Sequence, residues 1–156
     1  MATVLEDILA DLTTTLAGVT VANGYANTLT TARRFDIDNS RADVDPPYAE
    51  VSLFRNDMVE ERINGIVSWA CEIEVGVWAL HNKTANPEST DAYIASLMTD
   101  CARAILADRK RNSNAKNTIL GVTEKVDIVE GYPFQGFIMP VFVNYRTADA
   151  DFTQAY

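Results

Sequence analysis

Histidine is nearly absent from this chain: His81 is the only one in 156 residues. No second histidine stands near it, and neither cysteine lies at a metal-ligand spacing from it. A lone histidine at the end of a strand reads as a polar strand end. No Gly-x-Ser-x-Gly elbow accompanies it, so spacing offers no support for a nucleophilic triad. The seven glycines are scattered, without a Gly-x-Gly-x-x-Gly or Walker-type loop for phosphate. There are two cysteines, Cys71 and Cys101, on a predicted strand and a predicted helix. Both are expected to be reduced and buried. No apolar run approaches the roughly 18–20 residues of a membrane span. The opening MATVLEDILADL lacks the basic start and small-residue cleavage site of a signal peptide. Basic side chains are outnumbered 13 to 22, for a net charge of −9. That balance argues against gripping nucleic acid through many phosphates, though DNA could pass through a channel without specific binding. The expectation is a protein that is not an enzyme, with no catalytic residue, no cofactor and no metal.

The one acidic cluster worth testing is DIDNSRADVDPP, with Asp36, Asp38, Asp43 and Asp45. A calcium loop wants acids at positions 1 and 3, glycine at 6 and glutamate at 12. Asp36 and Asp38 meet the first demand, but Arg41 and Pro47 occupy the glycine and glutamate positions. A solvated or interface loop is the better reading.

What is present is a long strand. Residues 66–80, IVSWACEIEVGVWAL, contain no proline, and Val67, Trp69, Cys71, Ile73, Val75, Val77 and Ala79 alternate onto one face. At roughly 3.3 Å per residue the segment reaches about 50 Å if straight. A compact chain of this length is only roughly 40 Å across. The strand must therefore bend, with Gly76 the candidate point, or project beyond the body and need a partner surface. Asn64-Gly65 before it signals a tight hairpin turn, with an upstream arm over 47–63. A tight turn sets Arg55 opposite Glu74 and Asp57 opposite Glu72, and places Val51 and Leu53 away from the face of Val75 and Val77. Three resolutions stay open: both faces are covered near the base, a bulge flips the register midway, or the tip over 57–68 is mobile.

Elsewhere, Thr3 and Glu6 match a capping box, with Leu5, Ile8, Leu9, Leu12 and Leu16 a helical stripe ended by Gly18. A Thr-rich strand is expected over 25–35. Asn86-Pro87-Glu88 starts a second helix running to about Lys110, whose buried stripe is Tyr93, Ile94, Leu97, Met98, Cys101 and Ile105. Arg109, Lys110 and Arg111 at its end read as a solvated turn complementing the helix dipole, or as a docking patch for an acidic partner. A strand over 119–130 should place Val122, Glu124, Val126 and Ile128 on one face. After a turn at Gly131 and Pro133, a last strand carries Phe137, Met139, Val141, Val143 and Tyr145. Pro140 marks that strand as an edge or a bulge. Residues 146–156 are expected to be a loose tail. The class is α+β, a mainly antiparallel sheet with a long hairpin and two principal helices on one face, in one domain over 1–156.

This order of parts resembles the tail terminator family of long-tailed bacteriophages, also called tail completion or minor tail protein U-like proteins. The resemblance spans nearly the whole chain. It rests on the short first helix, DVDPPYAEVSLF, the charged hairpin arm leading into WACEIEVGVWAL, the Pro-Glu-Ser-Thr-Asp helix start with Tyr93-Ile94, and the closing VFVNY. Tyr25-x-Asn27 ahead of the first strand is also similar. The resemblance implies a hexameric ring of identical subunits that caps the tail tube and halts its polymerisation. It also implies a joining surface for the head-neck connector, a virion location in the tail or neck, and assembly in the host cytoplasm. It carries over no catalytic residue. The expected subunit or tail contacts are Arg55, Asp57, Glu60, Glu61, Arg62, Arg109, Lys110 and Arg111, against solvation of an edge as the alternative. Other readings are a different neck component, such as a head completion or stopper protein, or a small intracellular enzyme or ligand-binding domain seeded by His81.

Overall fold

The first helix, α1 (Val4–Ala17), forms although it holds three consecutive threonines, Thr13 to Thr15. Threonine costs about 0.5 kcal/mol against alanine in a helix. Burying Val4, Ile8, Leu9, Leu12 and Leu16 is worth about 1.5–3 kcal/mol per side chain, so burial wins. Thr3 caps the helix by accepting from the Glu6 N–H (3.2 Å). Glu6 does not complete the box; its carboxylate pairs with Arg34 at 2.8 Å. Gly18 caps the other end with a right-handed φ of −78°.

The computed structural model describes residues 2–35, 44–63, 65–80, 90–126, 134–148 and 151–155. The acidic run 36–43, Asn64 of the turn, His81, the Asn86-Pro87-Glu88 helix start and the Gly131/Pro133 turn lie outside them. The strands are β1 (Thr31–Arg34), β2 (Tyr48–Ile63), β3 (Ile66–Leu80), β4 (Asn117–Leu120), β5 (Glu124–Val126), β6 (Phe134–Ala148) and β7 (Asp151–Ala155). They form one sheet in the order β1-β2-β3-β6-β4, with β5 and β7 also paired to β6. β1 joins β2 in parallel, and every other pairing is antiparallel. The second helix is α2 (Thr90–Ala107). Both helices pack their apolar stripes into one core with Val51, Cys71, Ile73, Val75, Val77, Met139, Val141 and Val143. The protein is α+β, with a mainly antiparallel sheet, a long hairpin and two helices on one face.

Among the expected alternatives for the hairpin, the bulge is the one present. β2 inserts extra residues against β3 between Leu53 and Arg55, between Met58 and Glu60, and again before Ile63. The two insertions nearer the turn move Arg55 opposite Glu72 and Asp57 opposite Ala70. The insertion between Leu53 and Arg55 adds the last step, which sets Val51 opposite Val75 and Leu53 opposite Ile73, on the same face.

The expectation that 66–80 needs a neighbouring subunit is overturned. β3 is the central strand, paired with β6 along all fifteen residues, straight through Gly76, and on its other side with β2 from Ile66 to Trp78 save opposite the insertions. Cys71, Ile73, Val75, Val77 and Ala79 are buried by the chain's own core.

Other expectations shift too. The Thr-rich strand over 25–35 shrinks to β1; Tyr25 lies under the Arg103 guanidinium (4.3 Å), and Asn27 is tied to Asp100 (2.9 Å) and Ser96 (2.8 Å) of α2. The strand over 119–130 breaks after Leu120, and Val122 is exposed. A Cβ at Gly121 would press on Phe142 (2.8 Å) and Pro140 (3.0 Å), so only glycine lets the chain cross there. β6 is no edge despite Pro140. The Pro140 carbonyl accepts from Gly121 N–H (2.7 Å), so its nitrogen faces the gap where β4 has ended and β5 has not begun. The expected loose tail instead forms β7 against β6, and Phe152 sits edge-on to Trp69 at 5.9 Å.

A candidate assembly surface

The expected contact residues do not form one cluster. Arg55 is on the hairpin arm, largely exposed, held between Glu72 (3.1 Å) and Asp57 (3.4 Å) on the sheet face away from the helices. Glu60, Glu61 and Arg62 continue β2, with their side chains outside the described residues. Arg109 and Lys110 are exposed in the turn after α2, which ends at Ala107 rather than Lys110.

Arg111 is the clear correction. It is neither solvated nor a docking residue: its side chain is fully buried. The chain from Arg111 to Ser113 runs through positive φ (47°, 53°, 71°), which turns the guanidinium inward. There Nη1 donates to Asp11 Oδ2 (3.1 Å) and Thr15 Oγ1 (3.4 Å), and Nη2 donates to the Ile105 carbonyl. Burial pushes the Asp11 carboxyl above its usual value even with Arg111 beside it. Burial likewise lowers Arg111, while Asp11 and Asp108 hold it charged. Asp108 fixes the turn by accepting from the backbone N–H groups of Asn112 (2.7 Å) and Lys110 (2.9 Å). Those bonds, the one from Asn112 foremost, hold its carboxyl below the usual range.

The residues missed by sequence reasoning are apolar. β1 covers β2 only from Tyr48 to Val51. Beyond it, the outer edge of β2 over 52–63 has no strand neighbour among the described residues. On that stretch Leu53 (42%), Phe54 (59%), Met58 (58%) and Val59 (59%) are exposed. A solvated edge usually carries charge or proline, and this one mixes its charges, Arg55 and Asp57 among them, with these apolar side chains. Phe54 and Val59 are the extra residues at two of the insertions, so they cannot join the alternation that buries Val51. The signal was in the sequence: Leu53-Phe54 and Met58-Val59 are adjacent apolar pairs, and a strand cannot bury both members on one face. A second, smaller exposed apolar pair, Ile119 (45%) and Val122 (81%), marks the opposite edge at β4.

Among the described residues, nothing comparable gathers around chemistry. Among the described residues, no three His, Cys, Asp or Glu side chains are grouped to hold a metal ion. Cys71 and Cys101 are free and buried, and burial pushes both thiols up to about 12, which suppresses the reactive thiolate. An open groove of about 190 Å³ on the sheet face away from the helices is lined by Glu50, Glu74, Trp78 and Ile138. Its buried carboxylate, Glu50, is already paired with Arg33 at 2.8 Å. Among the described residues no helix is long and apolar enough to cross a membrane. No protein-family model matches the chain, and no curated protein matches it.

Proposed function

We propose that this chain is a structural virion protein of the tail terminator kind. Copies join into a hexameric ring that caps the phage tail tube, stops its polymerisation and presents the joining surface to the head-neck connector. The observation that carries the reading is the uncovered outer edge of β2, with Leu53, Phe54, Met58 and Val59 in water. A monomer gains nothing from four large apolar side chains on a free strand edge, whereas a subunit interface does. The whole-chain resemblance supplies the particular assembly. A ring needs two different patches that meet, and a strand edge on one side of an open sheet leaves the other side for the second. The acidic balance of the chain suits a channel that lets DNA through without holding it.

The test is the native mass of the purified protein, alone and with its tail tube protein, together with the length of tubes grown in its presence. The expected result is a ring and tubes of limited length. A protein that stays a single copy in both conditions, with tubes growing unchecked, overturns the reading.

A further inference from the structure

Resting on that ring reading, we infer that the occupant of the free β2 edge is a second copy of this chain, docked by its β4 edge, head to tail. Three observations converge. The first is position. Leu53, Ile73, Val141 and Leu120 form one row across the sheet, Arg55, Glu72, Phe142 and Ile119 the next, and Asp57, Ala70, Asn144 and Asn117 another. Residues 53–57 of β2 and the whole of β4 therefore stand at the same height on opposite edges, three strand spacings or roughly 14 Å apart. Translating one copy sideways brings one edge against the other without a shift along the strands.

The second is apolar matching. Within that overlap Phe54 is exposed on one edge and Ile119 on the other, with exposed Met58 and Val59 just beyond it on the first edge and Val122 just beyond it on the second. The third is charge. Asp57 is exposed on the β2 side, beside Arg55 (3.4 Å). Lys116 stands exposed one residue before Asn117, whose row Asp57 shares, and Arg109 and Lys110 stand exposed in the turn that Thr118 fastens to β4 through the Arg109 carbonyl (2.9 Å). The β2 edge thus carries an exposed acid, and the β4 end carries exposed cations next to the matching row. The insertions at Phe54 and Val59 interrupt the regular backbone template of β2. The contact is therefore made by side chains rather than by a continued ladder. Because the two edges differ, the joint is heterologous, and it closes into a ring when the rotation between copies allows.

Two full-length variants test it: Phe54→Asp with Val59→Asp, and Ile119→Asp with Lys116→Glu. Native mass is read alone and with tail tube protein, with circular dichroism to confirm folding. Each variant by itself should run as one copy of 17.2 kDa. An equimolar mixture should give twice that mass and nothing larger, since each partner keeps one intact edge. Should an aspartate prevent folding, the exposed pair serves: Asp57→Lys and Lys116→Glu should each weaken assembly, and both in one chain should restore it. Rings unchanged by either edge variant would overturn the pairing while leaving the ring reading standing. Folded variants whose mixture stays at one copy would also overturn the pairing. Assembly that depends on both edges but leaves tube growth unchecked would uphold the pairing and overturn the capping reading. Wild-type protein that never assembles, with or without tube, overturns both.

Discussion

Replacing Arg111 with alanine distinguishes a buried structural arginine from the solvated turn residue that its neighbours Arg109 and Lys110 suggest. The guanidinium is 0% exposed and serves Asp11, Thr15 and the Ile105 carbonyl, while the Asp11 side chain keeps 23% exposure. Removing one partner of a buried ion pair costs about 3–5 kcal/mol, because the survivor is left uncompensated. Asp11 can recover some water, so the loss should fall at the lower end, about 3 kcal/mol. That is a large part of the about 5–15 kcal/mol that holds a domain together. It corresponds to a drop in Tm of roughly 6–12 °C for a chain of this size. Urea unfolding followed by circular dichroism reads the change as a lower midpoint at constant slope. The double replacement Asp11→Ala with Arg111→Ala should cost less than the sum of the singles, since no charge is then stranded. A loss under about 0.5 kcal/mol, the range for an exposed side chain, would refute the burial argument.

Three further outcomes are expected. Gly136→Ala should strongly destabilise the sheet, because a Cβ there would lie 1.9 Å from the Val77 carbonyl oxygen and must push β3 from β6; an unchanged thermal midpoint would contradict that approach. Ile73→Asp should abolish cooperative folding, as it places a carboxylate in a fully buried position; a sharp unfolding transition near that of the wild type would show otherwise. Asp108→Asn should change the acid response. The Asp108 carboxyl is held below its ordinary 3.8, so its contribution is present above that value and disappears as pH falls through its lower folded value. The stability gap between wild type and variant should accordingly narrow between about pH 5 and pH 2, and a gap that widens on acidification would reverse the sign.

Much of the fold could be read from periodicity. The α1 stripe, the α2 stripe of Ile94, Leu97, Cys101 and Ile105, and the alternation of β3 all bury the faces that their spacing defines. The candidate assembly surface was only half legible. The hairpin was placed correctly, yet its charges were singled out while Leu53, Phe54, Met58 and Val59 were passed over. Charged residues on a strand look exposed whatever the register, whereas the exposure of Phe54 and Val59 follows from the insertions, and that of Leu53 and Met58 from an outer edge that β1 does not reach. Arg111 was misread for the converse reason. Its inward turn depends on three successive positive-φ residues and on Asp11, a hundred positions away in sequence.

By itself, then, the order of residues determined which segments are helices, which are strands, and which side of each avoids water, because those depend on local spacing. Only the tertiary structure decided which strand lies at the centre and which at the edge. β3 has the longest apolar alternation and is satisfied on both sides by its own chain, while β2 is left open beyond Val51. Strand order depends on contacts between distant segments, and that is why the exposed apolar edge lies on the arm rather than on the strand with the long alternation.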